Sequence, residues 1–391
     1  MTPAVTAHFM RDRFTWQSYL MLAYFAYLQA ALGPLMPFLR EELDLNYSVA
    51  GFHFSAFALG MVLAGATGDR AAARWGRWRL FWGGGGGMAI GAGAFVLGTT
   101  PAMTIGSAFV MGFLGTFLLV MIQSTLSDHH GANRAIALTE ANLTASIGAG
   151  LAPFLIGTFQ RIGLGWRAAP WVGILVWVVM AARFHDNAVP ASQRTVTQAV
   201  EQGRALPRLF WRYWLVLFLV VSIEWSIVFW GAEFLEKNAD LTRTNAATIM
   251  SVYFLATVLG RIAGSRLTHL ISVNRLLLLS IALAIAGFAS FWLASVLFWT
   301  LLGLFVAGLG IANLFPLSLS IASSVVEPHQ SDTASGRISL GSGLAILTAP
   351  QVLGSVADYS SIQSAYGVVA VFLLVAFAVT AWTNRTMSQG A

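Results

Sequence analysis

The sequence predicts an all-α membrane protein of twelve transmembrane helices arranged as two pseudo-symmetric six-helix bundles. Three observations carry that expectation. A shift of 196 residues lays the first half of the chain on the second. Hydrophobic residues make up 57% of the chain and charged ones only 10%, far from the composition of a soluble domain. Apolar stretches long enough to cross about 30 Å of hydrocarbon come in two sets of six.

The repeat runs in one register for about a hundred residues. It sets Phe14 on Phe210, Phe38 and Leu39 on Phe234 and Leu235, and Asp44 and Leu45 on Asp240 and Leu241. Further along it sets Gly68 on Gly264, Arg70 on Arg266, Arg79 on Arg275, Gly91 on Gly287 and Gly112 on Gly308. Duplicated apolar halves are typical of secondary transporters, which rock one half against the other around a site between them.

The first six spans are expected at about 14–38, 47–68, 79–98, 103–126, 135–159 and 168–184. Span 1 is too long, and at Tyr24, Tyr27 and Gln29 too polar, to be a cleavable signal. Five glycines, Gly83 to Gly87, open span 3 and let a neighbouring helix approach closely. The polar stretch after span 6 divides the chain into an N-terminal bundle (1–184), a linker (185–209) and a C-terminal bundle (210–391). Spans 7 to 12 follow at about 211–235, 244–264, 275–295, 298–324, 336–357 and 364–383.

The net charge of +6 reads as topology rather than as affinity for nucleic acid. With both termini inside, 17 of the 22 Lys and Arg fall on the cytoplasmic side, the exceptions being Arg40, Arg161, Arg167, Lys237 and Arg243. Glu41, Glu42, Asp44, Glu236 and Asp240 crowd the outer face. The bacterial inner membrane is the expected location. The absence of Cys excludes disulfides, thiolate metal sites and Cys nucleophiles. No phosphate-binding loop, zinc helix or nucleophile elbow is present, so neither an enzyme nor an ATP-driven pump is expected.

After span 2 the chain reads Gly65, Gly68, Asp69, Arg70, then Arg74, Gly76, Arg77 and Arg79. This resembles the inter-helix signature of the major facilitator superfamily, with the acid and the Gly-Arg turn about one helical turn further apart than in its commonest form. A second copy, Gly260, Arg261, Gly264, Ser265 and Arg266, follows span 8 with Ser265 in place of the acid. In span 5, Gly148, Gly150, Ala152, Pro153 and Gly157 partly resemble the motif of proton-coupled antiporters, and Ala349, Pro350 and Gly354 repeat that theme in span 11. In span 10, Gly308, Gly310, Asn313 and Pro316 look like the corresponding helix of the fucose/proton symporter type, a branch that carries acids on helices 1 and 4, where this chain has none.

Asp69 at a helix end needs a partner, and Arg337 at the start of span 11 is the natural one. The repeat implies a mirrored contact of Glu140 with Arg261. Both pairs, with Arg70 and Arg77 beside them, are expected to close the cytoplasmic gate when the outer side is open.

Three carboxylates fall inside spans. Glu224 lies about 16 Å along span 7, at mid-bilayer, where water-poor surroundings favour the neutral acid and suit proton exchange. Glu233 is half a turn out of phase and nearer the outer surface, where it is a second candidate for proton coupling, an outer gate or a rim charge. Glu140 sits near the cytoplasmic end of span 5.

The family resemblance implies a cavity lined mainly by helices 1, 4, 7 and 10, with help from 2, 5, 8 and 11. Its candidate substrate residues are Tyr24, Tyr27, Gln29, Gln123, Asn142, Trp225, Trp230, Tyr253, Asn313 and Gln351. Neutral donors and aromatic walls suit polyols, sugars or amphipathic organics. No Lys or Arg is expected at mid-membrane, which disfavours phosphate esters and dicarboxylates. His53 in span 2 is expected to be a hydrogen-bonded histidine, and Asp128, His129 and His130 a solvated loop.

The expected function is proton-coupled symport of a small uncharged or amphipathic solute by alternating access. A proton-coupled exporter, an uncoupled uniporter and a transporter-like receptor stay open. The expected partners are the solute, protons and the lipid bilayer, with no cofactor and no nucleic acid, and the chain is expected to act as a monomer.

Overall fold

A computed structural model describes residues 9–187, 189, 206–327 and 330–389. The linker expected over 185–209 lies mostly outside the described residues. Among those described, the regular structure is helical: α1 Arg13–Leu43, α2 Tyr47–Trp75, α3 Arg77–Leu97, α4 Pro101–His130, α5 Arg134–Arg161 and α6 Ala168–Phe184, then α7 Arg208–Asn238, α8 Arg243–Leu267 and α9 Val273–Leu293. The chain continues as α10 Leu297–Ile311, α11 Leu314–Ser324, α12 Ser331–Tyr359, α13 Ile362–Ala365 and α14 Gly367–Gln389. Ten helical stretches are long and apolar enough to cross a membrane. One of them, Pro101–Arg161, is α4 and α5 joined through a 3-10 turn at Gly131–Asn133, and α6 is a shorter apolar helix.

Helix starts follow capping chemistry, and the caps obey the repeat. Asn46 accepts from the Val49 amide at 2.8 Å, and Thr242, its counterpart 196 residues on, accepts from the Asn245 amide at 3.3 Å. Asp44 and Asp240, another repeat pair, have φ of 49° and 50°, the left-handed turn that ends α1 and follows α7. Asn46 is thus occupied as a cap.

The expected span 10 is two helices. Pro316 has no N–H to give the Ala312 carbonyl, so the ladder breaks there. At the break the Asn313 side chain ties the chain to α8, donating to the Gly260 carbonyl at 2.8 Å.

Packing repeats as well. α1 lies on α5, α2 on α4, and α3 on α4 and α6, while α7 lies on α12, α8 on α10, and α9 on α10 and α14. Two pairs, α2 with α12 and α5 with α8, join the halves, with α1 against α7 between them. Close approach needs glycine at matched places: a Cβ on Gly112 would meet the Phe57 carbonyl oxygen at 2.0 Å, and one on Gly308 the Tyr253 carbonyl oxygen at 3.0 Å. The glycine run of α3 packs against Leu114 of α4 on one side and Trp177 of α6 on the other.

Gly112→Ala and Gly106→Ala should differ in sign. Alanine favours a helix by about 1 kcal/mol over glycine, and Gly106 has open space around it. At Gly112 the clash should outweigh that gain and cost about 1–3 kcal/mol. Thermal unfolding of the purified protein should show Gly112→Ala melting lower than the parent and Gly106→Ala no lower.

Candidate functional site

Between the halves lies a cavity of about 350 Å³. Helical periodicity explains its walls. Leu22, Phe25, Ala26, Gln29 and Ala30 line it from α1, and Asn142, Ala145, Ser146 and Ala149 from α5. Val221, Glu224, Trp225 and Val228 face it from α7, and Tyr253, Phe254, Thr257 and Arg261 from α8. Met61, Leu119, Phe315, Ser342 and Ile346 complete it. The principal walls are therefore α1, α5, α7 and α8. This corrects the expected prominence of helices 4 and 10, because contact of α5 with α8 brings those two helices to the centre.

Four of the ten candidate substrate residues reach the cavity: Gln29, Asn142, Trp225 and Tyr253. The other six are placed elsewhere. Tyr24 and Tyr27 do share a face, but it points into the N-terminal bundle, where their hydroxyls donate to the carbonyls of Gly85 (2.8 Å) and Ala169 (2.7 Å). Trp230 is buried and donates to the Pro350 carbonyl at 2.8 Å. Gln351 bridges α12 to the Ser48 carbonyl at 3.2 Å, Asn313 ties the α10–α11 break to α8, and Gln123 is exposed.

The cavity holds one acid and one base. Arg261 Nη2 lies 3.8 Å from Glu224 Oε1, within ion-pair range but beyond a hydrogen bond, while Arg261 Nη1 donates to Ser146 Oγ. A guanidinium therefore does stand at the level of mid-helix Glu224, against the expectation of no cation there. Arg261 starts about 9 Å inside the end of α8, and its long stem carries the charge inward. The Tyr253 hydroxyl is buried, with no hydrogen-bond partner among the described residues.

One face of the molecule is latched across the halves. Arg40 at the end of α1 pairs with Glu233 of α7, whose side chain is 2% exposed, and stacks over Tyr47 at 3.6 Å from the ring centroid. Arg243 pairs with Glu41 and Glu236. Asp358 of α12 caps the start of α2, accepting from the amides of Tyr47 (2.7 Å) and Ser48 (2.8 Å), and Arg161 donates to Asn245 at 3.0 Å. Arg167 pairs with Glu42, and Lys237 lies 3.6 Å from Glu236. The five cations that broke the charge asymmetry of the sequence are thus all bound on this face. Their misplacement was the available signal for the latch, which sequence reasoning missed apart from Glu233.

On the opposite face no ion pair joins the halves among the described residues. Asp69, Arg70 and Arg337 are exposed, and Arg77 pairs with Asp128 at 2.8 Å inside its own half. Glu140 pairs with Arg11 at 2.6 Å and accepts from the Tyr19 hydroxyl at 3.1 Å, while Arg261 turns to Glu224. Neither expected lock, Asp69 with Arg337 or Glu140 with Arg261, is formed.

Asp128, His129 and His130 form the last turn of α4 rather than a loop. His129 meets Asp12 at 2.7 Å and His130 meets Thr15 at 2.8 Å. Partial burial pushes the Asp12 carboxyl up, but hydrogen bonds from Thr15 and His129 outweigh it and leave the acid below its usual range. His53 is buried against Thr104 at 2.8 Å. No group of three or more His, Asp or Glu side chains suited to a metal occurs among the described residues.

Glu233→Gln strands the Arg40 charge, a loss on the order of 3–5 kcal/mol for a buried pair. With no native Cys to interfere, a cysteine in place of Ala149 should react with an impermeant maleimide applied to the latched face about tenfold faster in Glu233→Gln than in its parent. Equal rates would mean that the pair does not hold this face shut.

Known proteins agree with the fold. The chain is 24% identical over 359 residues to an uncharacterized MFS-type transporter of Yersinia pestis, covering 88% of this chain and 89% of that one. It is 24% identical over 273 residues to membrane protein MosC of Rhizobium meliloti, covering 70% and 66%. Its structure superposes on a mutant of the nucleoside transporter NupG with a TM-score of 0.77 at 17% identity, covering 94% and 99% of the two chains. A bacterial homolog of the human lysosomal transporter Spinster, in an inward-facing and occupied conformation, gives 0.76 at 16% identity, covering 96% and 97%. The family profile described as Major Facilitator Superfamily matches residues 18–295 and again 214–389. This chain therefore belongs to the Major Facilitator Superfamily, a family of membrane transporters.

Proposed function

We propose that the chain is a proton-coupled symporter of a small amphipathic organic solute, with Glu224 carrying the proton. The observation behind this reading is the position of Glu224: at the middle of α7, facing the cavity between the halves, with Arg261 as its one charged neighbour there. Protonation discharges the acid and frees the guanidinium, so one proton changes what the cavity can hold.

Segments 1–184 and 210–391 act as the two moving bodies, joined by the linker. Under the positive-inside orientation, with both termini cytoplasmic in the bacterial inner membrane, the latched face is the outer one and the cavity faces inward. Glu233 then serves as an outer gate rather than a second proton carrier. The Asp69–Arg337 and Glu140–Arg261 pairs belong to the opposite state, in which Arg261 exchanges Glu224 for Glu140 as the latch opens.

Proteoliposomes with a lumenal pH dye test this, using sugars, monocarboxylates, amines and lipophilic cations under an imposed gradient. Inward solute flux should acidify the lumen, and Glu224→Gln should abolish that signal. Alkalinisation would establish exchange instead. Labelled solute crossing without a proton signal, equally in the variant, would make Glu224 structural.

A further inference from the structure

We infer that the cavity takes a small organic monoanion, a carboxylate on an apolar body, docked on Arg261 when Glu224 is protonated. This deepens the symport reading and rests on the same cavity being the transport site.

The guanidinium is underused as it stands. It carries five N–H donors, of which one hydrogen bond, to Ser146, is seen among the described residues, while Glu224 at 3.8 Å accepts none from it. Guanidinium–carboxylate pairs are frequently closed by two parallel hydrogen bonds. Here the fork is presented and left unfilled. Three of the residues that α8 presents to the cavity, Tyr253, Thr257 and Arg261, are spaced at four-residue intervals, so they stand on one stripe. The unpartnered Tyr253 hydroxyl thereby supplies a second donor on the same wall.

Charge arithmetic selects the valence. Helices α1, α2, α4, α5, α7, α8, α11 and α12 line the cavity, and they bring to Glu224 one charged neighbour, Arg261, and one further titratable group, the Tyr253 phenol. With Glu224 ionised, the site is neutral and holds no place for a net charge. With Glu224 protonated, one positive charge is left in the cavity, and one negative charge balances it. A dianion would leave an unbalanced charge. A cation would meet Arg261. Gln29, Asn142 and Ser342 add neutral polar groups, while Phe25, Trp225, Phe254 and Phe315 give an aromatic wall that fits the non-polar body of such a solute.

The test is equilibrium binding to the full chain in nanodiscs, read as thermal stabilisation at pH 5.5 and 7.5. The probes are lactate, benzoate, phenylacetate and octanoate, set against phenylacetamide, phenethylamine and phenylalanine. At least one carboxylate should bind, weakening towards tenfold per pH unit as Glu224 ionises, while amide, amine and zwitterion do not compete. Glu224→Gln should keep that carboxylate at both pH values and lose the pH dependence, and Arg261→Lys should weaken it about tenfold, because the fork is lost. Equal or tighter binding of the amide, amine or zwitterion overturns the inference. So does unchanged pH dependence in Glu224→Gln, or no carboxylate binding at either pH. The outcome is separable from the proton assay. A bound carboxylate that moves no proton sinks the coupling and leaves this site, whereas coupled flux of a neutral solute sinks this site and leaves the coupling.

Discussion

The ion pair between Arg40 and Glu233 is the contact on which the rest of this conformation depends. It joins the last turn of α1 to the C-terminal part of α7, and those two helices also supply half of the cavity's principal walls. Glu233 is 2% exposed, so its charge is stable only while Arg40 stays beside it. Around it the approach is tight: a Cβ on Gly33 would meet the Val228 carbonyl oxygen at 2.1 Å. Tyr47 under the guanidinium, Asp358 on the start of α2 and Arg243 between two acids extend the seal. A buried pair is costly to break singly, which makes the latch a two-state element rather than a graded one.

Much of the fold was legible because the duplication repeats physical constraints as well as letters. Asn46 and Thr242 are both caps, Asp44 and Asp240 both take a left-handed turn, and Gly112 and Gly308 both let α2 or α8 touch the following partner helix. Glu224 was visible as a carboxylate in the middle of an apolar span. The residues that face the cavity are less legible. Tyr24, Tyr27 and Trp230 are polar aromatics on cavity-forming helices, yet each spends its donor on a backbone carbonyl inside the protein. Sequence spacing gives the face of a helix, and it does not say which neighbour that face meets. Arg261 was misjudged for a related reason, since counting residues along α8 locates its Cα and not the end of a six-bond stem.

The latch and the cavity answer one another electrostatically. On the sealed face every cation that departs from the topological asymmetry finds a partner, and for Arg40, Arg161 and Arg243 that partner lies in the other half, so opening the face must release these three together. On the other face Glu140 and Asp69 stand apart from Arg261 and Arg337. Arg261 is shared ground: it belongs to the cavity through Glu224 and to the expected inner lock through Glu140. If Arg261 exchanges Glu224 for Glu140, as proposed, one side chain ties occupancy of the site to the state of a gate.

Distances between spin labels would test that tie most directly. With no native Cys in the chain, paired cysteines at Leu164 and Val296 report the latched face, and pairs at Ala73 and His269 report the other. In Glu233→Gln the first distance should lengthen and the second shorten in the same sample. Distances that stay as in the parent, or that change in the same direction, would contradict a latch that holds one face closed and the other open.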